Sequence, residues 1–105
     1  MDPTLTRIKR AVLAGNYRLT DKADIELERD GLGLSDVEES ILQATRIEKN
    51  LKSTSSRRSV SREYLHIIIS ENFDGIEVYT KGKLECEYGV DIYYVFISAK
   101  RSQRS

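Results

Sequence analysis

The chain has 105 residues, with 17 Lys+Arg balanced by 17 Asp+Glu and a single cysteine, Cys86. That length makes one domain, able to bury a core without disulfides or a metal. A net charge of zero argues against strong non-specific nucleic-acid binding, which is built from many cation–phosphate contacts, and a lone cysteine excludes an internal disulfide.

The elements follow in chain order. Asp2-Pro3 is a helix start: a capping acid, then a proline where no backbone donor is needed. Leu5, Ile8, Ala11 and Val12 recur at helical spacing, and Gly15 supplies the stop. Thr20 caps a second helix, with Asp21 and Asp24 in its positive first turn, Ala23 and Leu27 on one face, and Gly31 at its end. Ser35-Asp-Val-Glu38 reads as a capping box opening a third helix. Its apolar stripe is Val37, Ile41 and Ala44, and it should fray near Arg46.

The period then changes. Residues 49–62 are rich in Ser and Arg and read as a flexible basic loop. Tyr64–Ser70 is dense in β-branched residues, as in a buried strand. Asn72–Gly75 is turn chemistry. Ile76–Thr80 and Lys83–Tyr88 alternate as two strands, with Lys81-Gly82 at a tight hairpin between them. In the second of these, Leu84, Cys86 and Tyr88 form the apolar face, so Cys86 is expected in the core. Gly89 marks a turn, and Asp91–Ala99 is apolar on both faces, as a central strand should be. Residues 101–105 form a tail. The plan is α+β over 1–105, with N-terminal helices packed on one face of a C-terminal antiparallel β-sheet.

Much familiar chemistry is missing. With one cysteine and one histidine, a zinc site made by this chain alone is not expected, and no cofactor motif is present. His66 lies inside an apolar strand, where a packed, hydrogen-bonded role outweighs acid–base catalysis. No apolar run reaches the length of a membrane span, and MDPTLTRIKRAVLAG lacks a signal-peptide core, so a cytoplasmic protein is expected.

What stands out is a concentration of phenols and cations near the C-terminus: Tyr79, Lys81, Lys83, Tyr93, Tyr94, Lys100 and Arg101. In a simple meander Lys83 starts one strand and Lys100 ends the next, which would gather both at one sheet edge. Lys100 and Arg101 would point to opposite sides. Cations stabilise the extra charge of a phosphorane-like transition state, and tyrosine stacks on a splayed base or transfers a proton. The bland alternative is that tyrosines pack on sheets and lysines guard strand edges. On pattern alone it is the favoured one.

A resemblance shifts that balance. Leu5–Ile41 contains a basic first helix, a Gly-x-x-Arg-x-Thr-x-x-Ala stretch (Gly15, Arg18, Thr20, Ala23), then Leu-Gly-Leu and an acidic helix. It resembles the N-terminal half of the MqsR-like toxins, part of the wider RelE-type toxin superfamily. VDIYYVFISAK looks like that family's closing strand with its terminal lysine. The resemblance covers the two ends of the chain and implies a RelE-like fold. It also implies a metal-independent endoribonuclease acting on mRNA, the toxin of a toxin–antitoxin pair. The partner it implies is an antitoxin, often one with a zinc-binding domain and a helix-turn-helix. Lys100 matches the lysine of the family's final strand and would stabilise the scissile phosphate, assisted by Lys81 or Lys83. Tyr79 or Tyr93 would orient the base or transfer protons. Arg57, Arg58, Arg62 and Arg101 would guide the RNA backbone. Related domains carry a histidine just before the alanine of the second helix, where this chain has Asp21-Lys22. The alternative is a non-catalytic protein- or RNA-binding module of the same fold.

Overall fold

The structure, a computed structural model, describes residues 2–52 and 64–103. It is α+β, with three helices and a five-stranded mixed sheet. In chain order the elements are α1 (Pro3–Leu13), β1 (Tyr17–Leu19), α2 (Asp21–Arg29), α3 (Leu34–Gln43), β2 (Lys49–Lys52), β3 (Tyr64–Glu71), β4 (Glu77–Glu87) and β5 (Val90–Arg101). The sheet order is β1-β5-β4-β3-β2.

The helix starts follow local chemistry. The Asp2 carboxylate accepts from the Thr4 amide at 2.8 Å, with Pro3 in the first turn. Thr20 Oγ1 accepts from the Ala23 amide at 3.2 Å. The third helix is capped two residues before the expected Ser35. Gly33 is its cap, and Asp36 Oδ2 accepts from the Gly33 amide at 2.8 Å. Glu38 serves elsewhere, accepting from the Tyr17 hydroxyl at 2.6 Å. Burial and this carboxylate push the Tyr17 phenol up to about 12. At the Asn72–Gly75 turn, Asn72 Oδ1 accepts from the amides of Asp74 and Ile76 at 3.0 and 2.8 Å, and its Nδ2 donates to Asp36. One side chain thereby closes the turn and ties it to α3.

The sheet departs from expectation in four places. It is not purely antiparallel, because β1 lies between α1 and α2 and pairs parallel with β5. Three residues are too few to carry a strand period. Lys49–Lys52 is an edge strand on β3 and not loop, while the rest of the expected loop, including Arg57, Arg58 and Arg62, lies outside the described residues. There is no hairpin at Lys81-Gly82, since β4 runs unbroken through both. Arg101 belongs to β5 and not to a tail.

Gly82 has a different reason to be glycine. The Tyr94 ring lies across it, so a Cβ at residue 82 would sit 2.5–2.7 Å from two ring carbons and the hydroxyl oxygen. Tyr94 is fully buried, in edge contact with Phe96 at 4.9 Å between ring centres. The two rings join Leu5, Ile8, Val37, Ile41, Ile68 and Ala99 in the core. The Tyr94 hydroxyl has no partner among the described residues. A buried hydroxyl without a hydrogen bond costs about 1–3 kcal/mol. We therefore expect Tyr94→Phe to raise the thermal midpoint by a few degrees, the shift of about 1 kcal/mol in a domain this size. An unchanged or lower midpoint in a melting curve would contradict this.

The expected apolar face of Leu84, Cys86 and Tyr88 also breaks up. Leu84 packs on the core. Cys86 lies beyond the core, exposed, with the Arg7 guanidinium of α1 3.6 Å from its Sγ, next to a register shift whose extra residue is in β5. Tyr88 is 97% exposed with φ of 53° and belongs to the turn before β5.

Candidate functional site

Residues opposite each other in an antiparallel pair point to the same face. Ile68, Thr80 and Ala99 form one such row, and Ile68 and Ala99 belong to the core. The flanking rows therefore face away from that core. Tyr79 stands between Ile69 and Lys100, and Lys81 between Ile67 and Ser98. Farther along this face, Lys83 is opposite Val95, Arg18 lies beside Val95, and Glu85 is opposite Tyr93. Glu71 and Glu77 lie at the opposite end, beside the 72–75 turn.

At the Lys100 end one group outside the expected set takes the central place. Glu26, on α2, is 7% exposed. Its Oε1 accepts from Ser98 Oγ at 2.6 Å and from the Ala99 amide at 3.3 Å. Its Oε2 lies 3.7 Å from Lys22 Nζ and 4.0 Å from Lys100 Nζ. The Lys100 ammonium lies 5.5 Å from the centre of the Tyr79 ring. The position of α2 explains this cluster. Strand β1 stops at Leu19, which leaves β5 with an unpaired edge. Thr20 donates to the carbonyls of Phe96 and Ile97, Glu26 takes the Ala99 amide, and Asp30 takes the Arg101 amide at 2.9 Å. Past the Thr20 amide, the helix finishes the edge with side chains where a strand would have used backbone.

Electrostatics follow from these contacts. Burial opposes charge on Glu26, but the Ser98 hydroxyl, the Ala99 amide, Lys22 and Lys100 outweigh it and hold the carboxyl below its usual 4.5. Burial, with Glu26 adding to it, raises the Tyr79 phenol, which stays a protonated donor at neutral pH. The depressed carboxyl has a consequence for stability. Its contribution is present above the unfolded value of about 4.5 and is lost as pH falls through the lower folded value. Native protein should lose stability to urea below about pH 4.5, and Glu26→Gln should lose less over the same interval. Parallel losses in the two proteins would sink this assignment.

The structure therefore brings together Tyr79, Lys81 and Lys100, and adds Glu26 and Ser98. It does not bring Lys83 to Lys100. With β4 unbroken, Lys83 is four residues beyond Tyr79, roughly 13 Å along the strand, and pairs with Glu85 at 3.7 Å. Tyr93 is likewise remote and sits under Arg18, whose guanidinium is 5.6 Å from the ring centre. Arg101 is opposite Val78, on the other face from Lys100. His66 also faces the core side, buried with Nδ1 2.6 Å from Asn50 Oδ1, and burial lowers its pKa, as does Arg7, against the pull of Asp2. Its packed role is the one expected. Among the described residues no group of three His, Cys, Asp or Glu is placed to hold a metal ion, and no helix is long and apolar enough to cross a membrane.

Glu26 had one weak sequence signal, its i,i+4 spacing from Lys22. Nothing local tells that pair from ordinary helix surface. No family model matches the chain, and no match was found among curated proteins or solved structures.

Proposed function

We propose that the protein is an endoribonuclease that cleaves mRNA through the RNA's own 2′-hydroxyl, acting as the toxin of a toxin–antitoxin pair in a RelE-like arrangement. The observation that carries this reading is the Lys100–Tyr79 pair on neighbouring strands, with the Glu26 carboxylate beside it. In the reaction the 2′-oxygen bonds to phosphorus and the bond from phosphorus to the 5′-oxygen breaks. Glu26 Oε2 takes the 2′-hydroxyl proton, and the Tyr79 phenol protonates the leaving 5′-oxygen. The products are a 2′,3′-cyclic phosphate and a 5′-hydroxyl end. Lys100 stabilises the charge that builds on the phosphorane, and Lys81, one row away, adds to the field. The lowered pKa of Glu26 and the raised pKa of Tyr79 make a weak base and a weak acid, so Lys100 carries most of the effect. The cognate antitoxin is the protein partner this reading requires, and the cytoplasm is its place.

The test is incubation of purified protein with a defined mRNA in EDTA, with and without translating ribosomes. Discrete fragments ending in cyclic phosphate support the proposal, and intact RNA under both conditions overturns it. The contact between Lys100 and Glu26 favours a second reading, a non-catalytic RNA- or protein-binding module, because it offsets the cation's charge. For RNA, that reading predicts salt-sensitive binding with the RNA left whole.

A further inference from the structure

At the far end of the same sheet face, an open hollow of about 330 Å³ is lined by Gly15, Asn16, Tyr17, Arg18 and Tyr93. Gly15, at φ 76°, puts no side chain into it. The Tyr17 hydroxyl is committed to Glu38, which leaves the Asn16 amide, the Arg18 guanidinium and the Tyr93 ring as its working groups. Arg18 is exposed, Tyr93 is half-buried, and the cation lies over the ring. From here Lys83, Lys81 and Lys100 continue along the face toward Tyr79.

We propose that this hollow is a stacking subsite for one unpaired base of single-stranded RNA, several nucleotides from the scissile phosphate. The proposal deepens the nuclease reading and rests on it. A phenol under a guanidinium offers a base two π-compatible surfaces. The Asn16 amide carries a donor and an acceptor for a base edge. The row of lysines matches a phosphate backbone, with two acids against its ends, Glu85 beside Lys83 and Glu26 beside Lys100. Bases held inside a duplex cannot reach the ring, so the occupant is single-stranded.

The test uses the full chain and a fluorescein-labelled 2′-O-methyl decaadenylate, whose blocked 2′-oxygens prevent cleavage. Binding is followed by fluorescence anisotropy. Tyr93→Ala should weaken it by roughly five- to a hundredfold, the loss of one stacked base, while Tyr93→Phe retains it. Arg18→Ala should also weaken it. The decamer annealed to its complement should not compete. Tyr93→Thr keeps a strand-compatible side chain and guards against a folding defect, and thermal melting of each variant checks the fold. If folded Tyr93→Ala and Tyr93→Thr bind like native protein while native protein still cleaves mRNA, the subsite is wrong and the nuclease reading stands. If native protein neither binds the decamer nor cleaves mRNA, both are wrong.

Discussion

Lys100→Ala is expected to slow RNA cleavage by about a hundredfold or more while leaving the fold intact. Removing one preorganised group aimed at developing charge typically costs that much. The lysine is well placed for it. Its ammonium lies 4.0 Å from Glu26 Oε2 and 5.5 Å from the centre of the Tyr79 ring, and its side chain is still 31% exposed. Its contribution to stability should be small, because one partly exposed ion pair contributes on the order of 0–1 kcal/mol. The measurement is the single-turnover rate of fragment formation from a defined mRNA, beside a melting curve of the same variant. A folded Lys100→Ala protein that cuts at the native rate would remove Lys100 from the chemistry. Lys83→Ala makes the contrast, since its place opposite Val95 predicts a much smaller effect on rate.

The largest effect on stability is expected from Gly82→Ala. The added methyl group would meet Cε2, Cζ and the hydroxyl oxygen of Tyr94 at 2.5, 2.6 and 2.7 Å. That ring has nowhere to go, because it is fully buried and braced by Phe96. Overpacking a core usually costs about 1–3 kcal/mol, and a clash with three atoms of a fixed ring should reach the top of that range. Domains of this kind are stable by about 5–15 kcal/mol, so a large share is at stake. Urea unfolding should show the loss directly. The cause can be checked with Tyr94→Leu. If the ring is the obstacle, the double variant will be clearly more stable than the sum of the two single losses predicts. Additive losses would mean that Gly82 matters for some other reason.

Gly82 also shows how a sequence can mislead. Between two lysines and two alternating runs, a glycine reads as a turn. Its role is set by Tyr94, twelve residues away in sequence and stacked on it only after β4 and β5 have paired. From that one misreading came the expectation that Lys83 and Lys100 meet. With the turn at Tyr88-Gly89, the register instead sets Tyr79 against Lys100.

Local rules sufficed wherever the cause was local. Asp2, Thr20 and Gly15 bound the first two helices because capping and positive φ act within a few residues. The stripe Leu5, Ile8, Ala11 and Val12 is buried because helical periodicity is written along the chain. The turn at Asn72–Gly75, the burial of His66 and the α+β plan follow from the sequence in the same way. The tertiary structure decided the rest, each part depending on a neighbour remote in sequence. Strands β1 and β2 are three and four residues long and exist because β5 and β3 offer them partners. Glu26 is one acid among several on α2 until the end of β1 exposes the edge of β5 to it. The sequence by itself determined which residue types are available and where its first two helices begin. The pairing of strands decided which of them meet, because register depends on contacts that no short stretch contains.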